Sequence, residues 1–317
     1  MIRIRSIAPL TLALLGAGAV SGAEVDRTVL AMGTSLRVRV EGADAARLAA
    51  ATESALQEVA RIETACSTWR ADSAWSRLNR AEGAATPLDS EWLRLLASMK
   101  AWSLRTEGAF DPALMPLMEA WDIRGRGRQP GPAELRVVMR ATGAAHLRLD
   151  QAAGTAWFDH PHAGLEEGGF LKGYALDLAA MKLKEAGTTA GLLDFGGQLL
   201  ALGTAQAALA DPDHRQTPRV AVRLVDASLS TSGTSERGRH ILDPRSGRPC
   251  PAWGSVSVVS ASALEADLLS TALYVMGPVR GLAWAEAHEL SACFLLNDGR
   301  ARMTREFRAL LIPKESK

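Results

Sequence analysis

Asp267 and Thr271 lie four residues apart in the stretch Ala266-Asp267-Leu268-Leu269-Ser270-Thr271. On a helix, that spacing sets a carboxylate and a hydroxyl side by side on one face. Such a pair suits a hard cation such as Mg²⁺, which takes oxygen ligands and keeps positions open for phosphate oxygens. An acidic residue near a helix start followed by a surface threonine has the same spelling, so spacing alone leaves both readings open. A second stretch runs Glu166-Glu167-Gly168-Gly169-Phe170-Leu171-Lys172-Gly173-Tyr174. Its glycines precede a helix, where backbone can approach a ligand closely and Lys172 can pair with a phosphate. The Gly-x4-Gly-Lys-Ser/Thr spacing of a P-loop is absent, and a glycine turn before a helix is the plain alternative.

A third stretch is rich in hydroxyls, Leu229 to Arg237, and leads into His240-Ile-Leu-Asp243-Pro244-Arg-Ser-Gly247. It can donate several hydrogen bonds to a ligand, and Asp-Pro-Arg-Ser-Gly is also a good turn. No Gly-x-Ser-x-Gly elbow occurs, which disfavours a serine hydrolase. His240 is a candidate base or hydrogen-bond donor. The other histidines (His146, His160, His162, His214 and His288) lack zinc-ligand spacing, despite the close pair at 160 and 162. Cys66, Cys250 and Cys293 are too scattered for a disulfide framework or a CxxC metal site.

The elements that must position these residues alternate irregularly. Leu36, Val38 and Val40 alternate with arginines as a half-buried strand, and Ala43 to Glu63 carries helical spacing. Asp89-Ser90 opens a helix through Trp102, and Arg124 to Pro132 reads as a loop whose arginines are solvated. A helix over 133–141 and strands near 146–149 and 155–159 follow. The second half predicts a helix over 172–186, strands over 191–195, 220–225 and 256–260, and a helix over 264–276 stopped by Gly277. Pro278 starts another helix, and 292–299 forms a hairpin. There is no regular βαβ period and no 20–50-residue repeat. The expected class is α+β, with mixed or antiparallel sheets and interleaved helices.

The chain has 317 residues, 47% hydrophobic and 22% charged, which excludes a disordered, collagen-like or polytopic membrane protein. Its 36 Lys+Arg against 35 Asp+Glu leave a net charge of +1, so no overall field attracts nucleic acid. Arg3 and Arg5 precede an apolar run from Ile7 to Val20, closed by Ser21-Gly22-Ala23. That spells a secretory signal peptide over 1–23, cleaved after Ala23, with one domain over 24–317. The run is too short to span a bilayer comfortably. The expected location is periplasmic, with the mature protein soluble.

The order and wording of several segments resemble the ApbE family of flavin transferases. They are Met32-Gly33-Thr34, Ser67-Thr68-Trp69 with Asp72-Ser73 and Leu78-Asn79, and Gly108-Ala-Phe-Asp-Pro112. Next come Gly168-Gly169 with Lys172-Gly173-Tyr174 and Asp177, then Asp194-Phe-Gly-Gly197, Ser232-Gly233, His240 to Gly247, and Glu265-Ala266-Asp267 with Thr271. The resemblance implies an ApbE-like, T-fold-like architecture and a Mg²⁺-dependent FAD:protein FMN transferase. Such an enzyme moves FMN from FAD to a threonine hydroxyl of a partner flavoprotein, which can be membrane-bound, and releases AMP.

The resemblance also assigns roles. Met32 and Trp69 would lie against the flavin or adenine portions of FAD, and Ala109, Phe110 and Asp111 would form the adenosine-binding turn. Glu166, Lys172 and Leu242 would be further FAD contacts. Gly169, through its carbonyl, would hold Mg²⁺ with the side chains of Asp267 and Thr271. His240 is the candidate for taking the hydroxyl proton. Trp69 stands where tyrosine is common, which keeps stacking and loses a phenol. Glu166-Glu167 replaces a usual Asp-Leu, Asp194 a usual Asn, and Gln198 a usual Asp. The alternatives on the same site are an FAD pyrophosphatase, with water as acceptor, and a non-catalytic periplasmic flavin-binding protein.

Overall fold

The computed structural model describes residues 22–233 and 240–313. Most of the expected signal peptide, up to residue 21, and part of the hydroxyl-rich stretch lie outside the described residues. Strands β1 (Ala23–Ala31) and β2 (Thr34–Gly42) form a hairpin closed by Met32 and Gly33. Both turn residues have positive φ, 46° and 74°, as two-residue hairpin turns that match strand twist require. Helices α1 (Ala45–Cys66) and α2 (Ala74–Asn79), strand β3 (Thr86–Pro87), and helices α3 (Ser90–Arg105), α4 (Met115–Ala120) and α5 (Pro132–Ala141) come next. Strands β4 (Leu147–Asp150) and β5 (Thr155–Phe158) then precede α6 (Leu171–Glu185). A run of strands follows: β6 (Ala190–Phe195), β7 (Gln198–Leu202), β8 (Thr204–Ala210), β9 (Pro218–Val225), β10 (Ser228–Gly233), β11 (Leu242–Asp243), β12 (Arg248–Pro249) and β13 (Gly254–Ser260). Helix α7 (Ala263–Ala287), strands β14 (Ser291–Leu296) and β15 (Ala301–Met303), and helix α8 (Arg305–Arg308) close the chain.

The main sheet runs β1-β2-β6-β7-β10-β13-β14-β15, and every neighbouring pair is antiparallel. The expected α+β class is thus the observed one. Successive side chains of a strand point to opposite faces, and this sorts the central strands into two cores. Leu200, Val256, Val258 and Phe294 face the core under α1, α6 and α7. Their neighbours Leu199, Ala201, Val259 and Leu295 face a smaller core under the β8–β9 ribbon and Phe307 of α8. Because both faces are covered, β7 reads Gln-Leu-Leu-Ala-Leu without alternation and is buried throughout. The sequence pattern does not mark it as a strand for this reason.

Two helices carry the site. Residues Leu48, Ala51, Ala55, Val59 and Ile62 make α1 a core-facing stripe, and it braces α6. Helix α6 crosses the start of α7 at Gly173, where an added Cβ would sit 2.3 Å from the Ala263 carbonyl oxygen. Only glycine permits that approach. Helix α7 breaks where expected, at Gly277 (φ 79°, ψ 171°), and Pro278 starts its second half.

Candidate active site

The N-terminus of α7 is capped twice. Ser262 Oγ accepts from Glu265 N at 3.3 Å. Asp177 of α6 accepts from Ser262 Oγ at 2.7 Å, Ala263 N at 2.6 Å and Leu264 N at 3.0 Å. The free N–H groups of this helix end are therefore supplied without Asp267. Asp267 sits one turn further in, only 5% exposed, so capping does not account for its burial. Its Oδ2 accepts from Gly173 N at 3.1 Å and lies 3.4 Å from Lys172 Nζ. No hydrogen bond among the described residues uses Oδ1.

Thr271 shares that face. Its Oγ1 donates to the Asp267 carbonyl at 3.3 Å and lies 3.5 Å from Ser232 Oγ of β10. A Cβ placed on Gly169 would stand 3.5 Å from Thr271 Oγ1, so the backbone of the glycine turn lies directly against this hydroxyl. The structure thus brings together the expected metal donors Gly169, Asp267 and Thr271. The donor chemistry fits a hard cation: one carboxylate already facing a positive charge, one hydroxyl and one peptide turn. Among the described residues no cluster of three or more His, Cys, Asp or Glu side chains could hold a metal. A cation here would therefore complete its shell with ligand or water oxygens, which is how Mg²⁺ is usually held.

Beside the glycine turn, Phe110 meets Phe170 edge to face, with centroids 5.9 Å apart, and Ala109 is buried with it. Asp111 is committed to the protein. Its carboxylate accepts from Ser103 Oγ at 2.8 Å, Ala113 N at 2.8 Å and Ala144 N at 2.9 Å. Burial pushes its carboxyl up, against the pull of those donors. The expected adenosine-turn aspartate therefore ties three segments together and shapes the turn. Leu242 is buried in the β11–β12 hairpin, which lies against Gly108 through Arg245. His240 is half-buried just before it. Met32 packs on the main core at the β1–β2 turn, and no hydrogen bond or ring contact among the described residues joins it to the others.

The acidic pair is engaged within the protein. Glu167, in the usual leucine position, turns inward and accepts from Thr68 N at 2.9 Å and from Thr68 Oγ1. Glu166 accepts from Arg124, whose guanidinium also donates to Thr68 Oγ1 and lies 3.7 Å from Glu167. The same guanidinium stands 4.3 Å from the Trp69 ring centroid. Burial, and then the neighbouring Glu167, raise the Glu166 carboxyl to about 7, with Arg124 opposing. Arg124 is thus not a solvated loop charge, which corrects the sequence-based expectation. Nothing in the loop's spacing distinguishes it from Arg126 or Arg128. Thr68 belongs to the Ser67-Thr68-Trp69 segment, whose spelling alone gives it no role.

Comparisons with known proteins find relatives over nearly the whole chain. An FAD:protein FMN transferase of Treponema pallidum is 30% identical over 91% of this chain and 90% of its own. Its counterpart from Salmonella typhimurium is 28% identical over 89% and 87%. The solved flavin transferase ApbE from Vibrio cholerae superposes with a TM-score of 0.79 at 26% identity, covering 92% of this chain and all of that one. The apo flavinyl transferase ApbE of Pseudomonas stutzeri gives 0.79 at 29% identity, over 91% and 97%. The ApbE family model matches residues 32–294, and the chain belongs to the ApbE family.

Proposed function

We propose that this protein is an exported, Mg²⁺-dependent FAD:protein FMN transferase. It binds FAD against the glycine turn and the start of α7, with the buried Phe110–Phe170 pair packed behind that turn. The observation that carries the proposal is the buried Asp267, which faces Lys172 and shares a helix face with Thr271 although α7 is already capped by Ser262 and Asp177. The relatives named FAD:protein FMN transferase support the same activity.

In this reaction an acceptor threonine oxygen forms a bond to the FMN-side phosphorus of FAD. The bond from that phosphorus to the bridging oxygen breaks, AMP leaves with the electron pair, and the hydroxyl proton goes to a base. Asp267, Thr271 and the Gly169 carbonyl would hold Mg²⁺, which when bound supplies positive charge against the phosphates and the leaving AMP. Lys172 is placed to move from Asp267 to a phosphate oxygen, so that the ion pair holds its ammonium ready beforehand. Phe110 and Phe170, buried behind the turn, hold its backbone against Thr271. His240 is proposed as the group that takes the hydroxyl proton. Export rests on the Arg3/Arg5 start and the Ser21-Gly22-Ala23 end, and N-terminal sequencing of envelope protein should read Glu24 first.

The test is incubation with FAD, Mg²⁺ and a flavoprotein acceptor, followed by intact mass and nucleotide analysis. Acceptor mass should rise by one FMN adduct per AMP released. AMP release with an unlabelled acceptor would instead identify a pyrophosphatase, and neither change would point to a flavin-binding protein.

A further inference from the structure

Trp69 is 67% exposed and lies in the turn after α1, where Arg70 N donates to Ser67 O at 3.1 Å. Among the described residues no ring or cation other than Arg124 packs on its indole. Arg124 comes from a different segment, the turn after α4. That turn is tied internally by Gly125 N and Gly127 N to the Asp122 carbonyl, at 3.0 and 3.1 Å. It is fixed to the β11–β12 hairpin by Trp121 Nε1, which donates to Gly247 O at 2.8 Å. A third segment, just before α6, supplies Glu166 and Glu167. Two adjacent carboxylates, Glu167 buried and Glu166 half-buried, need a cation, and among the described residues Arg124 is the only one within ion-pair reach of either.

We propose that Arg124 is a positioning residue for the dinucleotide: it locks the Trp69 ring and the Glu166 carboxylate into one unit and so governs FAD affinity. The inference rests on the FAD reading above. A guanidinium does this because it is planar and forked. One face lies on the indole while its edge donates to Thr68 and Glu166, and an ammonium cannot do both. With one indole face covered by Arg124, the other remains for a flat ring of the ligand. The arrangement also accounts for the glutamate in the usual leucine position. Glu167 orients Thr68, which in turn receives Arg124.

The test is FAD titration by calorimetry, with steady-state transfer kinetics, on the full chain and on R124K, W69A and the R124K/W69A double variant. R124K keeps the charge for the two carboxylates, so folding is preserved, and melting curves verify that. It should weaken FAD binding about five- to tenfold through KM, with kcat at saturating FAD within about twofold. In the double variant it should add less than it costs alone, because part of its effect runs through that ring. Full additivity, an unchanged Kd, or a loss in kcat alone would overturn the positioning role while leaving FAD recognition standing. A wild-type protein that binds no FAD would overturn both.

Discussion

On the α6–α7 side of the site one buried carboxylate, Asp267, is held by a backbone N–H and faces a single ammonium. On the turn side two carboxylates, Glu166 and Glu167, share one guanidinium. The first arrangement is set by two helices pressed together at Gly173. The second is set by side chains reaching across three turns. Backbone contact fixes the first independently of charge balance, whereas the second depends on the protonation and identity of its members. The two sides should therefore fail in different ways when disturbed.

The largest effect is expected on the helical side. Asp267→Ala should leave folding intact and lower FMN transfer about a thousandfold or more, since metal-borne charge stabilisation contributes several kcal/mol to such a step. Rates with FAD, Mg²⁺ and acceptor measure it. If Asp267 served only the fold, melting temperature would fall and the surviving folded fraction would keep its rate.

Lys172→Ala comes next. Loss of a charge-assisted phosphate contact typically costs about 1.5–3 kcal/mol, or roughly ten- to hundredfold in Kd for FAD. Gly173→Ala probes the backbone contact itself. Its Cβ would press on the Ala263 carbonyl, and overpacking of that kind costs about 1–3 kcal/mol of stability. Chemical denaturation should register that loss together with weakened transfer, because Asp267 would lose its Gly173 N–H donor. Unchanged stability would show that the two helices can separate freely.

The smallest effect belongs to the turn side and depends on pH. The folded chain holds the Glu166 proton more tightly than the unfolded chain, with the carboxyl raised from 4.5 to about 7. Its contribution to stability is therefore complete below about 4.5 and is lost as pH rises through about 7. Between pH 5 and 8, wild type should lose on the order of 2 kcal/mol more stability than Glu166→Gln. Parallel pH profiles for the two proteins would show that Arg124 neutralises the pair more fully than the geometry suggests.

Sequence pattern exposed the helical side and hid the turn side, for a physical reason. Asp267 and Thr271 are neighbours through a helical period, and Gly277-Pro278 punctuates that helix, so spacing reports geometry. Arg124, Thr68 and Glu167 meet through tertiary closure of loops, which no local period encodes. Strand β7 was similarly silent because burial on both faces erases alternation. The ribbon strand β8, with Thr204, Gln206 and Ala208 between buried residues, carried an alternation too weak in polarity to register. Asp111 shows a different limit. Its place in a turn was legible, but its hydrogen bonds to Ser103 and Ala144 required the fold.

The central claim is that Asp267 and Thr271 hold a cation that meets the phosphates of FAD. Calorimetric titration of FAD into wild type and Asp267→Ala, each with Mg²⁺ and with a chelator, tests it most directly. Mg²⁺ should tighten FAD binding to wild type by about tenfold or more and leave the Asp267→Ala affinity unchanged. Equal affinity with and without Mg²⁺ in wild type, or the same Mg²⁺ enhancement in both proteins, would contradict it.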